Sequence, residues 1–101
     1  MKNKKLETRI NKLKRIIIPI LKKNKIIKAG VFGSFVREDY KKGSDIDILI
    51  EVKAKKFSLF DLVGLKMELE KKLNKKIDLL TYKGIHPYLR ESILADEVRI
   101  I

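Results

Sequence analysis

Apolar residues recur along this chain with two periods, and the switches between them mark the elements. Leu6, Ile10, Leu13 and Ile17 follow helical spacing. Pro19 disfavours helix at Ile18, so the pattern predicts a break or kink there and a short second helix from Pro19 to about Lys23. Ala29 to Phe32 reads as a short buried strand running into Gly33-Ser34. From Asp45 to Val52 the period is two: Ile46, Ile48, Ile50 and Val52 share one face, and Asp45, Asp47, Leu49 and Glu51 share the other. Ser58-Leu-Phe-Asp61 has the form of a capping box. It opens a helix with an apolar stripe of Leu62, Leu65, Leu69 and Leu73, and Lys71, Lys72, Lys75 and Lys76 suit its C-terminal end. Ile77 to Thr81 is a third strand with Asp78 and Leu80 on one face. Pro87 can open a last helix through about Ala95, and Val98 to Ile101 can form a final strand. The expected order is α, α, β, β, α, β, α, β. The expected class is α+β, a mixed β-sheet of about four strands with helices packed against it, in a single domain over residues 1–101.

Composition narrows the class. The 101 residues are 45% apolar and 38% charged, which suits a globular chain rather than a disordered one. Cysteine is absent, which removes disulfides, thiolate metal sites and a cysteine nucleophile, and fits a reducing cytoplasm. No apolar run approaches the ~18 residues of a membrane span, and no signal-peptide core follows the basic start. The net charge is +12, and residues 1–28 hold eleven Lys/Arg against the single acid Glu7. Such a surface attracts anions, nucleic acid included. Lysine and isoleucine bias or a solvated face accounts for it equally well, and neither an RNA-reading aromatic motif nor zinc-finger spacing is present.

The chemistry concentrates where carboxylates interrupt apolar strands. Strand period puts Asp45 and Asp47 on one face, roughly 6.5–7 Å apart. Carboxylates that close raise one another's pKa, and divalent cations with their preference for oxygen ligands relieve the repulsion. Asp78 on a neighbouring strand would complete a cradle for two metals, able to clamp the attacking and leaving oxygens of a phosphoryl displacement. Gly33 lets backbone approach a ligand closely, Ser34 adds a hydroxyl, and Arg37 could reach phosphate oxygens as a charged fork.

Gly33-Ser34, ten residues, then Asp45-Ile46-Asp47 resembles the G-S-x10-D-x-D signature of the nucleotidyltransferase superfamily, the polymerase-beta-like enzymes. With "AGVFGSFVRED", "GSDIDILIEV", "FSLFDLVGLKMELEKKLNKKIDLLT" and "HPYLRESIL", residues 10–101 look like the minimal, MNT-type branch. The resemblance implies a nucleotidyltransferase fold, ATP as substrate and two Mg²⁺ ions. It implies Asp45, Asp47 and Asp78 as metal-binding and catalytic residues, and Gly33, Ser34 and, less directly, Arg37 as nucleotide contacts. It further implies a HEPN-domain ribonuclease toxin as partner, neutralised by adenylylation of a tyrosine, with the chain acting as antitoxin. One departure is Glu38, where many relatives carry glycine after the arginine. The alternatives are a binding-only antitoxin, or a transferase acting on nucleic acid or a small molecule. No membrane partner is expected, and the sequence leaves self-association open. His86 is read as a local hydrogen-bonding residue at a helix start, Tyr82 and Tyr88 as packing at the sheet edge, and Glu51 as a rim residue.

Overall fold

The computed structural model describes residues 4–37, 40–53 and 55–101; Glu38 lies outside the described residues. Helix α1 (Lys4–Lys23) is followed by strand β1 (Ile26–Phe32), a 3₁₀ turn (Gly33–Val36) and strand β2 (Ile46–Val52). Then come helix α2 (Leu59–Leu73), strand β3 (Ile77–Thr81), a second 3₁₀ turn (Tyr82–Gly84), helix α3 (Pro87–Asp96) and strand β4 (Val98–Arg99). The sheet order is β3-β2-β1-β4. β1 runs antiparallel to β2 and β4, whereas β2 and β3 are parallel and joined through α2. This is the expected α+β class, a mixed four-stranded sheet with packed helices.

The two sheet faces have different fates. Ala29, Val31, Ile46, Ile48, Ile50, Ile77 and Leu79 meet Ile10, Leu13, Ile17 and Leu21 of α1 and Leu65 and Leu69 of α2 in the main core. On the opposite face Phe32, Leu49, Tyr82 and Ile85 form a smaller cluster under Leu80, Ile93 and Leu94. α3 covers only part of that second face, and the remainder carries the strand aspartates.

The expected break at Pro19 does not occur. α1 is one 20-residue helix with Pro19 inside it. Proline removes one backbone donor and crowds the carbonyl four residues back, but Pro19 and Arg15 are both exposed, so that carbonyl can turn to water. The packing of Ile10, Leu13, Ile17 and Leu21 runs on through the defect. Three strand boundaries also move, and β4 ends at Arg99, two residues before the expected Ile101. β1 begins at Ile26, three residues before the expected start, because pairing with β2 reaches back to Ile26 opposite Val52. β2 begins at Ile46, so Asp45 stands just ahead of the strand rather than in it. The capping box forms as expected: the Asp61 N–H donates to the Ser58 hydroxyl at 3.2 Å, and the Ser58 N–H to the Asp61 carboxylate at 2.8 Å. Tyr82 is buried, but Tyr88 is 91% exposed and does not pack at the sheet edge.

Because Pro19 costs helix hydrogen bonding without contributing to the core, Pro19→Ala should stabilise the protein by about 1–3 kcal/mol. A urea midpoint that does not move would show that hydration of the exposed backbone around Arg15 already offsets the defect.

Candidate active site

The turn between α2 and β3 sets the position of Asp78. Asn74 ends α2 in the left-handed conformation (φ 54°), and β3 begins three residues later. The Ile77 N–H donates to the Glu70 carboxylate at 2.9 Å, and the Ile46 N–H to the Lys76 carbonyl at 3.0 Å. These bonds lock the start of β3 beside the start of β2. In the resulting register Asp47 faces Asp78 across the parallel pair, while Phe32 faces Asp47 across the antiparallel one.

Asp47 and Asp78 are thus brought together, and the electrostatics record it. The Asp47 carboxyl is pushed up to about 6. Burial is the main cause, followed by the charge of Asp78, a side-chain hydrogen bond with Asp78, and the charge of Asp45; Arg37 works the other way. Asp45 therefore lies within electrostatic reach, although it is exposed and not gathered into a tight cage. Among the described residues no three ligating side chains already converge on one point. The donor set nonetheless fits a hard divalent cation: only carboxylate oxygens, with half-buried Asp47 set beside exposed Asp78, two negative charges whose repulsion a cation would relieve.

Gly33 closes the other side of the pair. Its φ is +74°, and a Cβ built there would lie 2.2 Å from Asp47 Oδ2. Glycine is required at this position both by conformation and by the carboxylate that fills the space. The 3₁₀ turn Gly33–Val36 then carries Ser34, half-buried, and ends at Arg37, whose N–H donates to the Ser34 carbonyl at 3.1 Å. The Arg37 guanidinium donates from Nη1 to Asp96 of α3 at 2.8 Å, so it stands on the sheet face that bears Asp47.

Two features were not drawn from the sequence. Arg9 of α1 clamps the turn from behind, donating from Nε to the Phe35 carbonyl at 2.9 Å and from Nη2 to the Arg37 carbonyl at 3.1 Å. Its guanidinium also lies over the Tyr40 ring, 4.6 Å from the centroid. Nothing local in the sequence marks this pairing, which spans 26 and 28 residues. The second feature is a cleft of about 490 Å³ beside β3, with Asp47 and Asp78 at its wall and Phe32, Leu62, Leu80 and Ile93 among its apolar lining. A larger hollow on α1, lined by Asn11, Lys14, Arg15, Ile18 and Pro19, includes none of the candidate residues. His86 behaves as expected, its Nδ1 accepting from the Tyr88 N–H at 3.2 Å, and Glu51 is exposed at the rim.

Two predictions rest on this geometry. Gly33→Ala should displace the Asp47 carboxylate and destabilise the fold by about 1–3 kcal/mol, read as a lower urea midpoint; an unchanged midpoint would refute the close approach. Asp47 binds its proton more tightly folded than unfolded, so its contribution to stability is full below about pH 4 and is lost as pH rises through about 6. In EDTA at pH 8, Asp47→Asn should therefore melt above the wild type, and the gap should vanish by pH 4.

Comparison with known proteins places this arrangement. The nucleotidyltransferase domain family matches residues 13–100. A Methanocaldococcus jannaschii protein, named as a candidate protein adenylyltransferase, is 51% identical over 92 residues, 91% of this chain and 98% of the relative. The protein adenylyltransferase MntA of Thermococcus cleftensis is 32% identical over 71 residues, 70% of this chain and 71% of the relative. Among solved structures, a minimal nucleotidyltransferase superposes with a TM-score of 0.75 at 28% identity, covering 92% of this chain and 93% of that one. A toxin–antitoxin complex with AMP-PNP shares the fold, with a TM-score of 0.76 at 21% identity over 87% of this chain and 72% of that one. An MNT antitoxin bound to a tri-AMPylated HEPN toxin from Shewanella oneidensis also shares the fold, with a TM-score of 0.71 at 19% identity over 90% of this chain and 71% of that one. The matched span, the paired aspartates and the glycine turn agree: this chain belongs to the nucleotidyltransferase family.

Proposed function

We propose that this chain is a Mg²⁺-dependent protein adenylyltransferase that transfers AMP from ATP to a tyrosine of a HEPN-type toxin and so acts as its antitoxin. The observation that carries the reading is the register pairing of Asp47 with Asp78, between a glycine turn on one side and an apolar cleft on the other. The names of the M. jannaschii and T. cleftensis relatives and the contents of the toxin–antitoxin complexes support the choice of acceptor.

Each residue then has a task. Gly33 and Ser34 hold the triphosphate at the end of β1, where a side chain at 33 would block approach. Arg37, beside Asp96, offers further guanidinium donors to phosphate oxygens. Asp45, Asp47 and Asp78 would hold two Mg²⁺ ions, which when bound supply charge neutralisation for the triphosphate and the developing oxyanion. Asp78, on the cleft side, orients the acceptor hydroxyl and takes its proton. The acceptor oxygen forms a bond to the α-phosphorus, the bond to the β-phosphate oxygen breaks, and diphosphate leaves. The apolar walls of the cleft favour an aromatic stem behind that hydroxyl, which suits tyrosine over serine or threonine. These tasks need a cytoplasmic supply of ATP, and among the described residues no helix is long and apolar enough to cross a membrane.

A steric antitoxin is the second reading, favoured by the exposed apolar residues Leu59, Phe60 and Tyr88. Incubation with ATP, Mg²⁺ and a HEPN-type toxin should add whole AMP units to that protein by intact mass. Asp47→Ala and Asp78→Asn should each cut the rate at least ~100-fold. Unmodified partner in a stable complex would favour the steric reading instead.

A further inference from the structure

Helix α2 has more apolar surface than it packs. Leu62, Leu65, Leu69 and Leu73 face the core, but Leu59, Val63 and Met67 recur at four-residue spacing on a neighbouring stripe, with Phe60 beside them. This second stripe is open to solvent: Leu59 is 73% exposed, Phe60 87% and Met67 63%. Across the cleft, Leu89 at the start of α3 is also exposed, and Val63 and Leu89 both line the space that ends on Asp47 and Asp78. The exposed surface and the candidate site are therefore continuous. An exposed apolar surface spread over two helices marks an interaction site more often than a solvated face.

The sheet says from which side an acceptor arrives. In one row across the strands stand Phe32, Asp47 and Asp78, with Gly33 next after Phe32. The triphosphate turn is on the β1 side of Asp47, and the cleft runs from Phe32 past Asp47 and Asp78 to open at the β3 edge of the sheet. An in-line displacement needs attacking and leaving oxygens on opposite sides of the phosphorus. With the leaving diphosphate on the β1 side, the attacking oxygen enters past β3, between α2 and α3.

From this we infer that the outer stripe of α2 and the first turn of α3 form the docking surface for the acceptor protein. Its contact face is apolar, and its acceptor side chain enters the cleft between Val63 and Leu89. Lys66 in the cleft wall and Lys71 and Lys72 at the end of α2 match it to a partner with an acidic rim. The inference rests on the adenylyltransferase reading for the direction of attack, and its test separates the two.

The experiment compares wild type, the double variant Phe60→Ser/Met67→Ser, Tyr88→Ser on the other helix, and Asp47→Ala. Each is titrated with a non-hydrolysable ATP analogue and Mg²⁺, and separately with a HEPN-type toxin. Sedimentation of each free protein reports self-association. The double variant should bind the partner at least tenfold more weakly, Tyr88→Ser should weaken it in the same direction, and nucleotide affinity should stay within twofold in both. With ATP in place of the analogue, wild type should transfer AMP to the bound partner, and Asp47→Ala should bind the partner without transfer; a wild type that binds but transfers nothing would fail the adenylyltransferase reading and leave the docking result intact. Partner affinity unchanged in both surface variants overturns the docking surface, as does a wild type that forms no complex. Loss of nucleotide affinity in the double variant would give the surface to the nucleotide. A wild-type dimer dissolved by the same changes would give it to a second copy of this chain.

Discussion

Two carboxylates held side by side on parallel strands organise this molecule. Left alone they repel, and burial of Asp47 adds to the cost. The strands cannot part to relieve it, because Ile46 and Ile77 flank the aspartates on the opposite face and are both buried in the main core. The bonds from Ile46 to Lys76 and from Ile77 to Glu70 hold the register at the strand starts. The fold thus uses apolar packing on one sheet face to maintain an electrostatic conflict on the other. Such conflicts are where local preference yields to function.

The glycine turn is part of the same arrangement. Gly33 leaves a space, and the Asp47 carboxylate fills it. The backbone that would meet phosphate and the side chain that would meet metal are therefore in contact before any ligand arrives. Tyr82 and Glu97 show the same economy deeper in the second face: the Tyr82 hydroxyl donates to the Glu97 carboxylate, burial and that acceptor raise the phenol well above its usual range, and Gly30 leaves room for the glutamate.

Much of this was legible in the sequence because it is written in local periods. The alternation of Ile46 through Val52, the Ser58–Asp61 box and Pro87 at the start of α3 are short-range signals. The aspartate spacing and Gly33-Ser34 could be read without knowing the topology. Pro19 misleads because the local cost of a helix-interior proline carries no information about the tertiary packing that outweighs it. Alternation alone extends the strand to Asp45, but it does not mark where pairing begins; the partner strand does. The second stripe of α2 is visible at Leu59, Val63 and Met67, but the stronger leucine period beside it masks it. Arg9 had no such signal. A hydrogen bond across 26 residues belongs to the folded state alone.

The Arg9 clamp bears on where this domain can be cut. The family match begins at residue 13, four residues after the arginine that holds the carbonyls of Phe35 and Arg37. A fragment trimmed to the matched span would keep the aspartates, the glycine and the strand order. It would also keep Ile17 and Leu21, and so much of the helix's grip on the sheet. It would lose the groups that shape the turn from behind. Homology and foldability would both pass such a fragment, yet its turn would be free to take other conformations. The recognisable span thus stops short of Arg9, which braces the turn, and of Ile10, which completes the core under α1.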